Sequence, residues 1–279
     1  MKNNSDLHIH TLVSDGVATP IEMLTAAKSV GLGRISFTDH DALGAYRHFG
    51  DMFAYANELD IELISGIELD TDYEDREVHL LGYGFNLDDG PLNQHLDLTR
   101  KLRKEKVMLQ IAIINRFFGS QIVDPAKVLI AGRDTLMKPH LVHAMLNQGL
   151  FSEYRAAAYW VSQNAQVPVT VPKLPLASAI SLVRDAGGDA VLAHPGYLVR
   201  EMNIPLAPLL EELLPLGLCG LEVDYPYMGT GTVFPDFQTE RRMIDELRIF
   251  AERFALKATR GSDAHDVAAL KKFAQNHPA

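Results

Sequence analysis

The chain has 279 residues, 47% hydrophobic and 22% charged, with a formal charge of −10. That length buries one large core with room for a smaller unit, and the acid excess argues against an extended duplex nucleic acid as partner. The single Cys219 excludes an internal disulfide or thiolate cluster. No run reaches ~18 apolar residues and no leader pattern opens the chain, so the expectation is a soluble cytoplasmic protein with no membrane partner.

In chain order, residues 5–11 read as a strand. Thr19-Pro20-Ile21-Glu22 opens a helix that stops at Gly31, with a capping threonine and a first-turn proline. A strand at 34–38, a helix at 42–58 and strands at 61–66 and 77–84 follow. A long charged amphipathic helix spans 94–118, and further helical pieces reach Tyr159. The extended Val167-Pro168-Val169-Thr170-Val171-Pro172 segment returns to the main body. Helices at 176–186, 205–214 and 236–254 then alternate with strands at 190–193, 218–223 and 256–259. The pattern predicts a parallel α/β body from residues 1–92 and 174–279, with 93–173 as a helical insertion.

Chemistry-bearing residues gather where these strands end, which is where α/β proteins build their sites. In Asp6-Leu7-His8-Ile9-His10-Thr11, His8 and His10 project from one face of a strand, and two imidazoles so placed can share a metal ion. Asp15 follows in a loop, where a plain turn carboxylate is the alternative. Asp39-His40-Asp41 pairs an imidazole with acids that can fix its tautomer. Glu68 ends the third strand, and a bridging position between cations would explain a buried acid there. His79 has apolar neighbours, so a core histidine with one hydrogen bond is the alternative. His140 follows Pro139 at a helix start, and His143 lies one turn on, so a helical chelate is open although His140 alone is favoured. His194-Pro195-Gly196 and Asp263-Ala264-His265 end later strands. His48, His95 and His277 read as surface residues, and Gly229-Thr230-Gly231-Thr232 as a flexible loop and candidate lid. No Gly-x-Ser-x-Gly elbow, dinucleotide fingerprint or phosphate loop is present.

Together these segments, with Ser14-Asp15-Gly16, Thr38-Asp39-His40-Asp41 and Gly66-Ile67-Glu68, resemble the PHP (polymerase and histidinol phosphatase) family. The likeness is to its branch of nucleoside bisphosphatases and 5′-to-3′ exoribonucleases. The resemblance implies a distorted (β/α)7 barrel and a trinuclear site for manganese, zinc or iron, with magnesium also open. It implies His8, His10, Glu68 and Asp263 around one metal. Bridging Glu68, His79 and His140 would hold a second, and Asp15, His40 and His265 a third. Glu68, Asp263 and His194 are then the catalytic set. Lys138, Lys173, His194 and Tyr197 are the substrate-binding candidates. Relatives carry arginine where Lys138 and Tyr197 stand and lysine where Val167 stands, and Arg binds phosphate as a fork that Lys lacks. Lys173, Arg200 or Arg260 are candidate replacements.

The implied chemistry is hydrolysis of a phosphomonoester by a metal-bridging hydroxide. The substrate is a nucleoside mono- or bisphosphate or a short RNA 5′ end. The alternatives are hydrolysis of an amide or lactone and a non-catalytic metal-stabilised module.

Overall fold

Thr19 and Glu22 close a capping box ahead of the first helix, as their spacing predicts. The computed structural model describes residues 4–119, 121–228 and 233–276; the glycine-rich loop at 229–232 and His277 lie outside these. The first part runs β1 (Ser5–Ile9), α1 (Pro20–Ser29), β2 (Arg34–Phe37), α2 (Met52–Glu58), β3 (Glu62–Ile64), β4 (Gly66–Tyr73) and β5 (Arg76–Tyr83). Four helices follow: α3 (Gly90–Phe117), α4 (Pro125–Val128), α5 (Lys138–Asn147) and α6 (Tyr154–Asn164). The remainder runs β6 (Leu174–Pro175), α7 (Leu176–Asp185), β7 (Asp189–Leu192), α8 (Pro195–Arg200), α9 (Leu206–Leu213), β8 (Leu218–Asp224), α10 (Phe237–Arg253), β9 (Lys257–Arg260) and α11 (Val267–Asn276).

The helix expected over 42–58 is shorter. Only a 3-10 turn at Gly44–Tyr46 precedes α2, because Gly50 sits at φ +83 and Asp51 restarts the helix as its N-cap. The third strand also differs from expectation. It continues as β4 to Tyr73, and a two-residue turn at Glu74 (φ 51) and Asp75 (φ 62) folds β5 back antiparallel. Positive φ at both positions matches the twist of a hairpin.

The fold is mixed α/β, with two sheets ordered β1-β2-β3 and β6-β4-β5-β7-β8-β9. The pairs β1–β2, β2–β3, β7–β8 and β8–β9 are parallel, whereas β5 is antiparallel to both β4 and β7. The hydrogen bonding therefore does not delineate the (β/α)7 barrel that was expected. Bridges Ile9↔Ala264 and His40↔Glu68 link the two sheets at the ends that carry the histidines.

Hydrophobic side chains form two principal clusters. Ile9, Phe37, Ile67, Leu80, Leu192 and Leu221 belong to the larger one, between sheets and helices. Val107, Ile111, Ile114, Val128, Leu141 and Val161 belong to the second, among α3 to α6. Helix α3 serves both: Leu92 and Leu96 pack in the first cluster and Val107 onward in the second. The division expected at residue 93 therefore falls inside one continuous helix.

Candidate metal centre

Alternation along β1 buries Leu7 and Ile9 in hydrophobic clusters and turns His8 and His10 to the opposite face, where both are fully buried. Their Nε2 atoms lie 3.1 Å apart. Glu68 Oε2, from the third residue of β4, is 3.2 Å from His8 Nε2 and 3.1 Å from His10 Nε2. Asp263, just after β9, puts Oδ1 2.9 Å from His10 Nε2 and 3.5 Å from His8 Nε2. Two further groups adjoin this one. His40, Glu68 and His79 converge on one side, and His10, Asp15, His40 and His265 on the other, with donor atoms of each group within 4.8 Å of one another.

Three of the imidazoles are held from behind. His8 Nδ1 is 2.9 Å from Glu222 Oε1, His40 Nδ1 is 2.7 Å from Asp70 Oδ1, and His265 Nδ1 is 2.9 Å from the Asp263 carbonyl. A proton on each Nδ1 donates to that acceptor and leaves the Nε2 lone pair aimed inward, as metal-binding histidines require. Facing lone pairs on His8 and His10 at 3.1 Å repel unless a cation or proton lies between them. The donor set therefore fits divalent cations: nitrogen and carboxylate oxygen, buried, with acids orienting the rings.

The charges interlock. Burial opposes a proton on His8, yet Glu222, Glu68 and Asp263 outweigh it and hold the ring well above its usual value. His10 is pushed up to about 10 in the same way, by Asp263 and Glu68 against burial. Burial works against ionised Glu68 and Asp263 too, but the surrounding histidines keep both well below the carboxylate range. Glu68 touches His8, His10, His40, His79 and His194.

Residues 6–150 match the model of the PHP domain. The chain belongs to the PHP family of metal-dependent phosphoesterases. Among curated PHP relatives it is 30% identical to the phosphoribosyl 1,2-cyclic phosphate 1,2-diphosphodiesterase of Eggerthella lenta, covering 93% of each chain. It is 25% identical to a 5′-3′ exoribonuclease of Haemophilus influenzae, over 95% of this chain and 91% of that one. It is 24% identical to the 3′,5′-nucleoside bisphosphate phosphatase of Chromobacterium violaceum, over 94% and 87%. Its fold is shared with a solved amidohydrolase of Chromobacterium violaceum at TM-score 0.75, with 24% identity over 94% of this chain and 87% of that one.

Within this PHP centre most of the expected residues meet, and His140 stands apart. Its Nδ1 accepts from the Met137 N–H at 2.9 Å and its Nε2 donates to the Ser14 carbonyl at 2.9 Å, so neither nitrogen keeps a lone pair for a cation. Burial, then the nearby Arg133, lowers its pKa to about 4, which keeps the ring neutral. His40, not His140, joins Glu68 and His79. His143, the other half of the chelate left open, packs 5.5 Å from Tyr154.

His194 sits at φ 29, a strained conformation for a non-glycine residue, with Nε2 3.1 Å from Glu68 Oε1. Its Nδ1 is buried without a partner among the described residues. A cavity of about 730 Å³ adjoins the centre at Asp70, with Asp41, Glu77, Arg103, Lys106, Lys138 and Lys173 also among its lining. Lys138 Nζ lies 3.3 Å from Ser162 Oγ, and Lys173 pairs with Glu77. Tyr197 packs edge-on to His194, ring centres 5.7 Å apart, in an aromatic group with Tyr225 and Tyr227.

Sequence reading missed Glu222, Asp70, Arg103 and Tyr225. Glu222 also accepts from the His194 N–H at 2.7 Å, and Tyr225 donates to Asp263 Oδ2 at 2.7 Å. Asp39, read as a possible partner of His40, instead accepts from the Thr11 and Ser14 hydroxyls at 2.8 and 2.7 Å and so shapes the loop that carries Asp15. Asp70 was legible, since it lies two residues beyond Glu68 and therefore on the same face of β4.

Proposed function

We propose that this PHP protein hydrolyses a phosphomonoester of a small nucleotide-like substrate: a nucleoside mono- or bisphosphate or the 5′ end of a short RNA. The observation that carries the reading is Glu68, one buried carboxylate within 3.3 Å of five imidazoles and common to two candidate cation groups. The relatives' names support the substrate class, since each denotes an enzyme that cleaves a phosphate ester of a ribose-bearing molecule. The ligands we assign are His8, His10, Asp15, His40, Glu68, His79, Asp263 and His265, arranged for up to three cations. Their imidazole content favours manganese, zinc or iron over magnesium. The two sheets, bridged at Ile9↔Ala264 and His40↔Glu68, are read as parts of one distorted barrel around this centre.

Bound cations supply a water acidified towards neutral pH and neutralise charge on the phosphoryl oxygens. The chain's own groups do the rest. Lys138, Lys106 and Lys173 draw the anionic substrate into the cavity, and its depth beside Asp70 and Glu77 sets the ester against the centre. The water oxygen bonds to phosphorus as the ester P–O bond breaks. Asp263 takes the water's proton, and a proton held at His194 Nε2 passes to the leaving alkoxide.

A panel of nucleoside monophosphates, nucleoside bisphosphates and short oligoribonucleotides, beside amides and lactones, tests the reading with Mn2+-loaded protein. Release of inorganic phosphate is expected, and turnover confined to amides or lactones would overturn it. Glu68→Ala and Asp263→Ala should lose metal content and turnover together. His194→Ala should keep its metal and lose roughly 10²–10⁴-fold in kcat, the usual worth of one proton-transfer group; full turnover in that variant removes His194 from the mechanism.

A further inference from the structure

We infer that Arg103, on the long insertion helix α3, is a positioning residue for the metal centre, acting on His40 through Asp70. The inference rests on the reading that cations occupy that centre. Arg103 Nη2 reaches Asp41 Oδ2 at 2.5 Å and Asp70 Oδ2 at 2.7 Å. The other oxygen of Asp70 holds His40 Nδ1 at 2.7 Å, and His40 Nε2 lies 3.3 Å from Glu68 Oε2. A continuous line of charged contacts thus runs from a helix of the second hydrophobic cluster into the ring shared by two candidate cation groups.

Three features set this apart from an ordinary surface ion pair. The partners are buried: Arg103 is 12% exposed, Asp70 6% and Asp41 2%. The acids are locked to each other and to the centre by backbone, for the Asp70 N–H donates to Asp41 Oδ1 and the Asp41 N–H to the Glu68 carbonyl. Without the guanidinium, two buried carboxylates would face each other with no cation between them, and Asp70 would be free to turn from His40. Asp41 is itself held at φ 47, a conformation that persists only where its surroundings impose it. Arg103 also keeps its buried Nε without a partner among the described residues and is among the residues that line the cavity.

The chain of contacts predicts a coupling that can be measured without turnover. Equilibrium dialysis with Mn2+ should show Arg103→Met binding its weakest cation about 10–100-fold less tightly than wild type, the usual cost of losing an outer-shell partner. Arg103→Lys, whose single ammonium can still lie between both carboxylates, should recover most of that loss. Co2+-loaded Arg103→Met should have an altered visible absorption spectrum that Arg103→Lys restores. Asp70→Asn should weaken the same cation, and adding Arg103→Met to it should change affinity less than about twofold, because the two residues act in series. Should Arg103→Met fail to fold, the comparison of Asp70→Asn with the double variant, whose facing charge is halved, still reads the coupling. Wild-type affinity and spectrum in Arg103→Met, or losses that multiply in the double variant, would overturn the inference. A wild-type protein that binds no Mn2+ would overturn the metal reading itself.

Discussion

His8 is anchored on one nitrogen by Glu222 and faces Glu68 with the other, so orientation and ligation are separable at this residue. Glu222→Gln keeps the shape but replaces an acceptor that draws the Nδ1 proton with a neutral amide. Metal affinity should fall roughly 10–100-fold with the fold intact, measured by competition with a chromophoric chelator. Spacing reveals the ligands themselves, because His8 with His10 at the end of a strand and Asp263 with His265 in the loop after one each sit two apart. Glu222 could not be found that way, since it lies 214 positions from the ring it holds. The signal it did leave is a buried acid flanked by Leu221 and Val223 in β8, where burial without a partner would be costly. His140 misled for the converse reason. Pro139-His140 reads as a ligand motif, whereas the backbone of Met137 and Ser14 takes both ring nitrogens.

Elements bring these residues together by close approach. The turn after β9 presses on β1 so tightly that a side-chain carbon at Gly261 would collide with His8 Cβ and Glu222 Oε1. Gly261→Ala should therefore cost about 1–3 kcal/mol in urea unfolding and weaken cation binding as well, since only backbone and ligand side chains can give way. The same compactness explains what patterning could and could not show. Hydrophobic alternation located most strands and helices because one face of each is buried. The antiparallel return of β5 depended on the Glu74–Asp75 turn, whose conformation is carried by polar residues that resemble any loop. The sheet order escaped sequence reading because β5 and β7 pair across a segment that includes the whole helical insertion.

For the molecule as a whole, the centre is a dense store of charge, and its stability depends on what occupies it. In protein stripped by a chelator, His10 carries a pKa near 10 against about 6.5 when unfolded. The stability from its pairing is whole below pH ~6.5 and is lost as the pH rises through about 10. The melting temperature of stripped protein should accordingly fall across that window. Divalent cations, which bind better as the imidazoles lose protons, should stabilise most at the alkaline end. A cation at about 100 times its Kd adds about 2.7 kcal/mol, a rise of roughly 5 °C for a chain of this size. No alkaline loss, or no rescue by Mn2+, would show that the ion pairs are not what holds the centre. Asp6 accepts from the Ser262 N–H across 256 positions, and Ile9 bridges to Ala264. Enclosing His8 and His10 therefore requires the turn after β9 to dock on β1, so a chain held open between these segments would leave the centre incomplete.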